Sequence, residues 1–267
     1  MPSLLDGTCV VLFVVVATFV EHSWFWPRFR AGVAAGEADA RIWGYRRVIV
    51  AQWAFAVAIA AIWRHYDRSL ADLALTAPTG WRLIASGVVV ALTVAFGFYQ
   101  LAAIRKMRAA RPGRNRPKLG ALAFILPHTR TEHRWFLLLS LTAGICEEVT
   151  YRGYLVWFLR PSLGPVGAYV GVVVLFGIGH LYQGRQAATR ATMIGAVMTG
   201  VVALTGWLIP VMIIHTLIDA GSGTAAYLLL RDDQPIPETA TGRGLDEGST
   251  VSSRSTQCGS PRPSPAP

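Results

Sequence analysis

Three short stretches of this chain set ionisable side chains inside otherwise apolar sequence. "EEVTYR" places Glu147 beside Glu148 with Arg152 four residues on, "FGIGH" places Phe176 four before His180, and "HTLID" places His215 four before Asp219. Residues at i and i+4 share a helix face, so Glu148 and Arg152 read as an ion pair. Adjacent helical positions diverge by about 100°, so Glu147 points elsewhere, towards the face carrying Tyr151 and Tyr154. The spacing gives Glu148 a charge-compensated, structural part and leaves Glu147 as the reactive carboxylate. Carboxylates and imidazoles are the groups that activate water, as a general base or through a bound metal.

The surroundings set what these groups cost. The 267 residues are 53% hydrophobic and 15% charged, against about 25% charged in an ordinary soluble domain. Apolar runs cover Leu4–Val20, Val48–Trp63, Leu83–Leu101, Trp135–Leu159, Val166–Leu181, Ala191–Trp207 and Ile209–Leu230, and a bilayer-spanning helix needs about 20 such residues. The reading is an all-α polytopic membrane protein, a bundle of seven transmembrane helices, or eight with a re-entrant or missed segment. No basic residue precedes Leu4, and Asp6 stands where a signal peptide would carry positive charge, so the first helix reads as retained. Residues 231–267 are rich in Pro, Ser, Thr and Gly, cannot bury enough surface to offset their ordering entropy, and read as a disordered tail. The chain divides into N-terminal helices with a basic loop (1–130), a helical core bearing the three motifs (131–230) and that tail (231–267).

The formal charge of +10 is concentrated between Arg105 and Arg134, where nine basic residues accompany one acid, Glu132. Such a loop obeys the positive-inside bias and suits contact with anionic lipid headgroups. Nothing in it resembles a nucleic-acid-binding fold. With this loop inside, the Arg28–Arg47 connection, Arg185 and Arg190 lie inside too, and the outer connections keep Arg64, Arg68, Arg82 and Arg160. The N-terminus is then outside for seven spans, and His180, near the inner end of its helix, is reached from the cytoplasmic side. Cys9, Cys146 and Cys258 have no metal-ligand spacing. Gly167 and Gly171 form a GxxxG pair expected to face a neighbouring helix.

Each motif alone has a plainer reading: a Glu–Arg interhelical staple, an interfacial His180, a hydrogen-bonded core pair in His215 and Asp219. An intramembrane charge costs about 2.5–3.5 kcal/mol on insertion scales. Two carboxylates, two imidazoles and an Asp on three apolar helices therefore argue together for chemistry.

In their order the motifs resemble the signature of the CAAX-protease and bacteriocin-processing family of intramembrane proteases, which includes the Ras-converting-type prenyl-protein endopeptidases. That signature reads EExxxR, FxxxH, then HxxxN or HxxxD, and the resemblance spans about residues 135–230. It implies an endopeptidase in the cell membrane acting on membrane-anchored proteins or peptides, with lipid as its other partner. Glu147 would activate water with help from His180, His215 with Asp219 would bind or polarise the scissile carbonyl, and Glu148–Arg152 would support the site. Glu147, His180 and His215 could together hold zinc or another divalent metal, while a metal-independent glutamate mechanism is the alternative. Asp219 stands where some members have Asn; ionised, it would repel an oxyanion and would more naturally orient His215. Arg outnumbers Lys 23 to 2, which points to a GC-rich, bacterial genome, where relatives act in peptide maturation, bacteriocin immunity or membrane-protein processing. Two rival readings are a non-catalytic immunity or scaffold protein and a proton-coupled transporter; the latter predicts inverted repeats and broken helices that the sequence does not display.

Overall fold

Helix α1 (Leu4–Ala34) starts on a capping box, Ser3 and Asp6 satisfying each other's backbone amides, and runs well past the expected end at Val20. The polar stretch after Val20 is crossed by a π-helical turn, Glu21–Phe25, directly before Pro27. Burial of Phe25, Trp26 and Phe29 carries the helix onward there, so hydropathy alone misplaces its end. Seen in a computed structural model that describes residues 1–110 and 122–230, the rest of the bundle is α2 (Ala40–His65), α3 (Trp81–Ala110), α4 (Arg130–Glu148), α5 (Val156–Gly179), α6 (Arg185–Thr205) and α7 (Ile209–Leu230). No strand occurs among the described residues. The expected disordered tail, Cys258, and Arg111, Arg114, Arg116 and Lys118 of the basic loop lie outside them.

Among the described residues six helical stretches are long and apolar enough to cross a bilayer, where the sequence reading expects seven. The difference lies in one continuous stretch of 54 residues, Arg130–Gln183, in which a π-helical segment, Val149–Leu155, fuses α4 to α5. At about 1.5 Å per residue it would extend to more than twice the ~30 Å hydrocarbon core. It bends at Gly164 (φ 68°, ψ 173°), between Pro161 and Pro165. A positive φ with extended ψ is open to glycine alone at little cost. The two spans read there, Trp135–Leu159 and Val166–Leu181, fall on either side of this bend. Beyond it Gly171 faces back on the preceding arm, where a Cβ would sit 3.4 Å from Leu159 Cδ1.

Two pairings position the site. α4 packs along α7 and along α2, and at Gly144 α4 approaches α7 closely: a Cβ there would overlap Thr216 Oγ1 and lie 2.8 Å from the Met212 carbonyl oxygen. α5 packs on α6, with Gly195 against Arg152 Nη2 and the Phe176 ring. At the opposite end of the bundle, Arg68 holds the fully buried Asp6 through two hydrogen bonds of 2.8 and 2.7 Å. That bond raises the Arg68 guanidinium above its already high ordinary range. Tyr154 donates to the same carboxylate at 3.0 Å. Large apolar residues such as Ile84, Leu92 and Phe98 on α3 are exposed, the surface expected of a helix facing lipid.

Candidate active site

The adjacent glutamates end α4, and the helix widens immediately into the π-helical segment Val149–Leu155, a device frequent at functional sites. Widening alters which residues share a face. Tyr151 stays with Glu147 on the lining of a cavity of about 410 Å³, but Tyr154, expected beside Glu147, is turned away to Asp6.

Glu148 is fully buried and accepts from Arg152 Nη1 at 2.9 Å, as the i, i+4 spacing requires. Arg152 is satisfied further by Thr199 Oγ1 at 3.3 Å and the Gly195 carbonyl at 3.2 Å, and lies 4.2 Å over the Phe176 ring. A second partner of Glu148 is not legible from spacing: His215 Nδ1 stands 2.8 Å from the same Oε1. An ionised carboxylate only accepts, so Nδ1 carries the proton and the tautomer is fixed. Nε2 is left facing Glu147 Oε2 at 4.0 Å and Asp219 Oδ2 at 3.6 Å. The close orienting partner of His215 is thus Glu148, with Asp219 at longer range on the opposite nitrogen.

Glu147 has a different environment. Its side chain is 19% exposed and borders the cavity with His180, His215 and Asp219, which gathers residues from four motif positions about one space. Gln52 Nε2 donates to Glu147 Oε1 at 2.6 Å, while Oε2 is buried without a partner. His180 Nδ1 meets the Phe176 carbonyl one turn back at 2.8 Å; donating there, it keeps Nε2 as an acceptor. Gln52 and Glu21 also line the cavity and were missed by motif reasoning. An amide in the middle of "VIVAQWAFAV" was a usable signal, because such groups in apolar helices need partners; Glu21 fell just beyond the expected helix end.

Zinc sites need three or four donors converging at about 2.0–2.3 Å from one point. Among the described residues no group of three His, Cys, Asp or Glu side chains is so arranged. Glu147, His180 and His215 share the cavity without forming such a cluster.

The helices suit a multi-pass membrane protein, with carboxylates and imidazoles gathered about one cavity. A family model described as type II CAAX prenyl endopeptidase Rce1-like matches residues 129–221, from the cap of α4 to just past Asp219. The matched segment holds all seven motif residues, and the match supports membership of the CAAX-protease and bacteriocin-processing family. No curated protein and no solved structure matches the chain. Family membership supports a CAAX-type intramembrane endopeptidase.

Proposed function

We propose that this chain hydrolyses a peptide bond of a membrane-anchored protein or peptide, with Glu147 as the general base. The observation that carries the reading is that Glu147, of the two glutamates, lines the cavity, with its donor-free Oε2 4.0 Å from His215 Nε2. Water in the cavity gives a proton to Glu147 as its oxygen bonds to the scissile carbonyl carbon. The carbonyl π pair moves onto oxygen, and the C–N bond breaks when the leaving nitrogen takes the proton from Glu147. His215, protonated at Nδ1 towards Glu148, supplies an Nε2–H to the developing oxyanion when charged. His180 borders the same space and helps to confine the water. Arg152 holds Glu148 in place through its Nη1 bond and does not meet the substrate. Asp219 Oδ2 stands 3.6 Å from His215 Nε2.

The cavity reaches Tyr182 and Gln183 on the α5–α6 turn. With Arg28, Arg30, Arg41, Arg46, Arg47, Arg185 and Arg190 towards this end, the positive-inside bias places it in the cytoplasm. The test uses purified full-length protein and internally quenched peptides, one farnesylated at a CAAX-type terminus and others with a plain apolar anchor. Cleavage is expected in at least one arm and should survive a chelator. Loss on chelation with recovery on zinc would overturn the metal-free chemistry; cleavage of no peptide would overturn the endopeptidase reading.

A further inference from the structure

The matched family segment begins at residue 129, yet the closest polar contact of Glu147 comes from α2, far upstream. We infer that Gln52 is a positioning residue for the proposed hydrolysis, fixing which oxygen of Glu147 meets water and helping to orient that water; the inference rests on the endopeptidase reading above.

The geometry argues it in three steps. Gln52 Nε2 donates to Glu147 Oε1 at 2.6 Å, which ties down one carboxylate oxygen and leaves Oε2 as the free one. The amide orientation follows from chemistry, since an acceptor-only carboxylate must face the NH2 group. With the amide so placed, Gln52 Oε1 is itself a buried acceptor without a donor, and both residues line the cavity. Glu147 Oε2 and Gln52 Oε1 therefore each lack one donor, and a single water has two O–H bonds to give. The oxygen that takes the proton and the oxygen that orients the water then come from different helices.

The support for Gln52 is rigid. Trp53, its neighbour, donates to Thr142 Oγ1 on α4 at 3.3 Å, so α2 is pinned to α4 little more than a turn before Glu147. A hydrogen bond between membrane helices is often only a staple of about 0.6–2 kcal/mol. A staple would leave the reaction untouched once the protein has folded, and that difference decides the test.

The experiment measures kcat, KM and a thermal melt in detergent for the full-length protein on whichever quenched peptide the wild type cleaves. Gln52→Met keeps the length and apolar packing but removes the donor. Gln52→Glu keeps the length and the acceptor oxygen but puts a second carboxyl oxygen in place of the NH2 donor. Loss of an outer partner costs about 10–100-fold at comparable sites, so each variant should lose about that factor in kcat. Because the peptide itself is not gripped by Gln52, KM should stay within about two-fold. Groups acting as one unit are non-additive, so Gln52→Met added to Glu147→Gln should cost nothing more. Wild-type kcat per folded molecule in either Gln52 variant, whatever its melting temperature, overturns the inference, as do losses that multiply in the double variant. If Glu147→Gln is dead while Gln52→Met is fully active, only the role of Gln52 falls. If Glu147→Gln keeps wild-type kcat, the assignment of Glu147 as the base falls and takes this role with it.

Discussion

Glu147 and Glu148 are neighbours in sequence, each with one buried oxygen lacking a donor, and differ in what surrounds them. Glu148 is fully buried, bound to Arg152 and to His215; Glu147 borders a cavity with one oxygen free. Glu147→Gln preserves shape and removes the base, so kcat should fall by about 10²–10⁴ with little change in melting temperature. Glu148→Gln leaves Arg152 without its charged partner, and breaking a buried pair from one side costs about 3–5 kcal/mol, so yield and melting temperature should drop. Combining it with Arg152→Met removes the stranded charge and should recover part of that stability. The same double variant stays inactive, because His215 has lost its ionised partner as well. An active Glu147→Gln beside a stable, dead Glu148→Gln would reverse the two assignments. The Glu148–Arg152 pair was legible because helical spacing dictates it. The Glu148–His215 and Glu147–Gln52 bonds were not, because they join side chains 67 and 95 residues apart and depend on how helices cross.

At the scale of elements, Gly144 governs that crossing. α7 lies so close to α4 that a Cβ at this position would overlap Thr216 Oγ1 and press on the Met212 carbonyl and the Thr216 amide. A threonine side chain can rotate away, whereas backbone cannot. Gly144→Ala is therefore expected to lower stability by about 1–3 kcal/mol, the usual range for overpacking, despite alanine's better helix propensity. Gly144→Val should do so more severely and also cut activity, since separating α4 from α7 draws His215 from Glu148. A thermal melt unchanged in Gly144→Val would show that the two helices do not need this contact. Sequence reasoning singled out Gly167 and Gly171 instead, because GxxxG is a visible pattern. Gly144 stands in "LTAGICEE" with no patterned partner, and its partner carbonyl belongs to a helix that only the fold brings near. The long α1 was misread for a related reason: hydropathy sees Glu21, His22 and Arg28, while helix continuation is decided by the burial of Phe25, Trp26 and Phe29.

Across the whole molecule, charge and cavity point the same way. One end of the bundle joins the α1–α2 turn, the start of α4 and the α5–α6 turn, held by Arg41 to Glu132 at 3.4 Å and by Arg30 to the Tyr182 carbonyl. The other end keeps Arg64, Arg68, Arg82 and Arg160, two of them neutralised by Asp67 and Asp6. Because Gln183 lines the cavity and Leu163 is 53% exposed beside the Gly164 bend, single cysteines at these places report the two ends of one molecule. Cys9 and Cys146 are buried, so Cys258→Ser supplies a quiet background. If the basic end is cytoplasmic, a membrane-impermeant maleimide added to intact cells should label Leu163→Cys and spare Gln183→Cys. Inside-out vesicles should exchange the pattern, with Gln183→Cys labelled and Leu163→Cys protected. A substrate held in the cavity should slow the labelling of Gln183→Cys and leave Leu163→Cys unaffected, which ties the accessible end to the reactive one. Labelling of Gln183→Cys from outside intact cells would invert the topology, and with it the side from which Glu147 is reached.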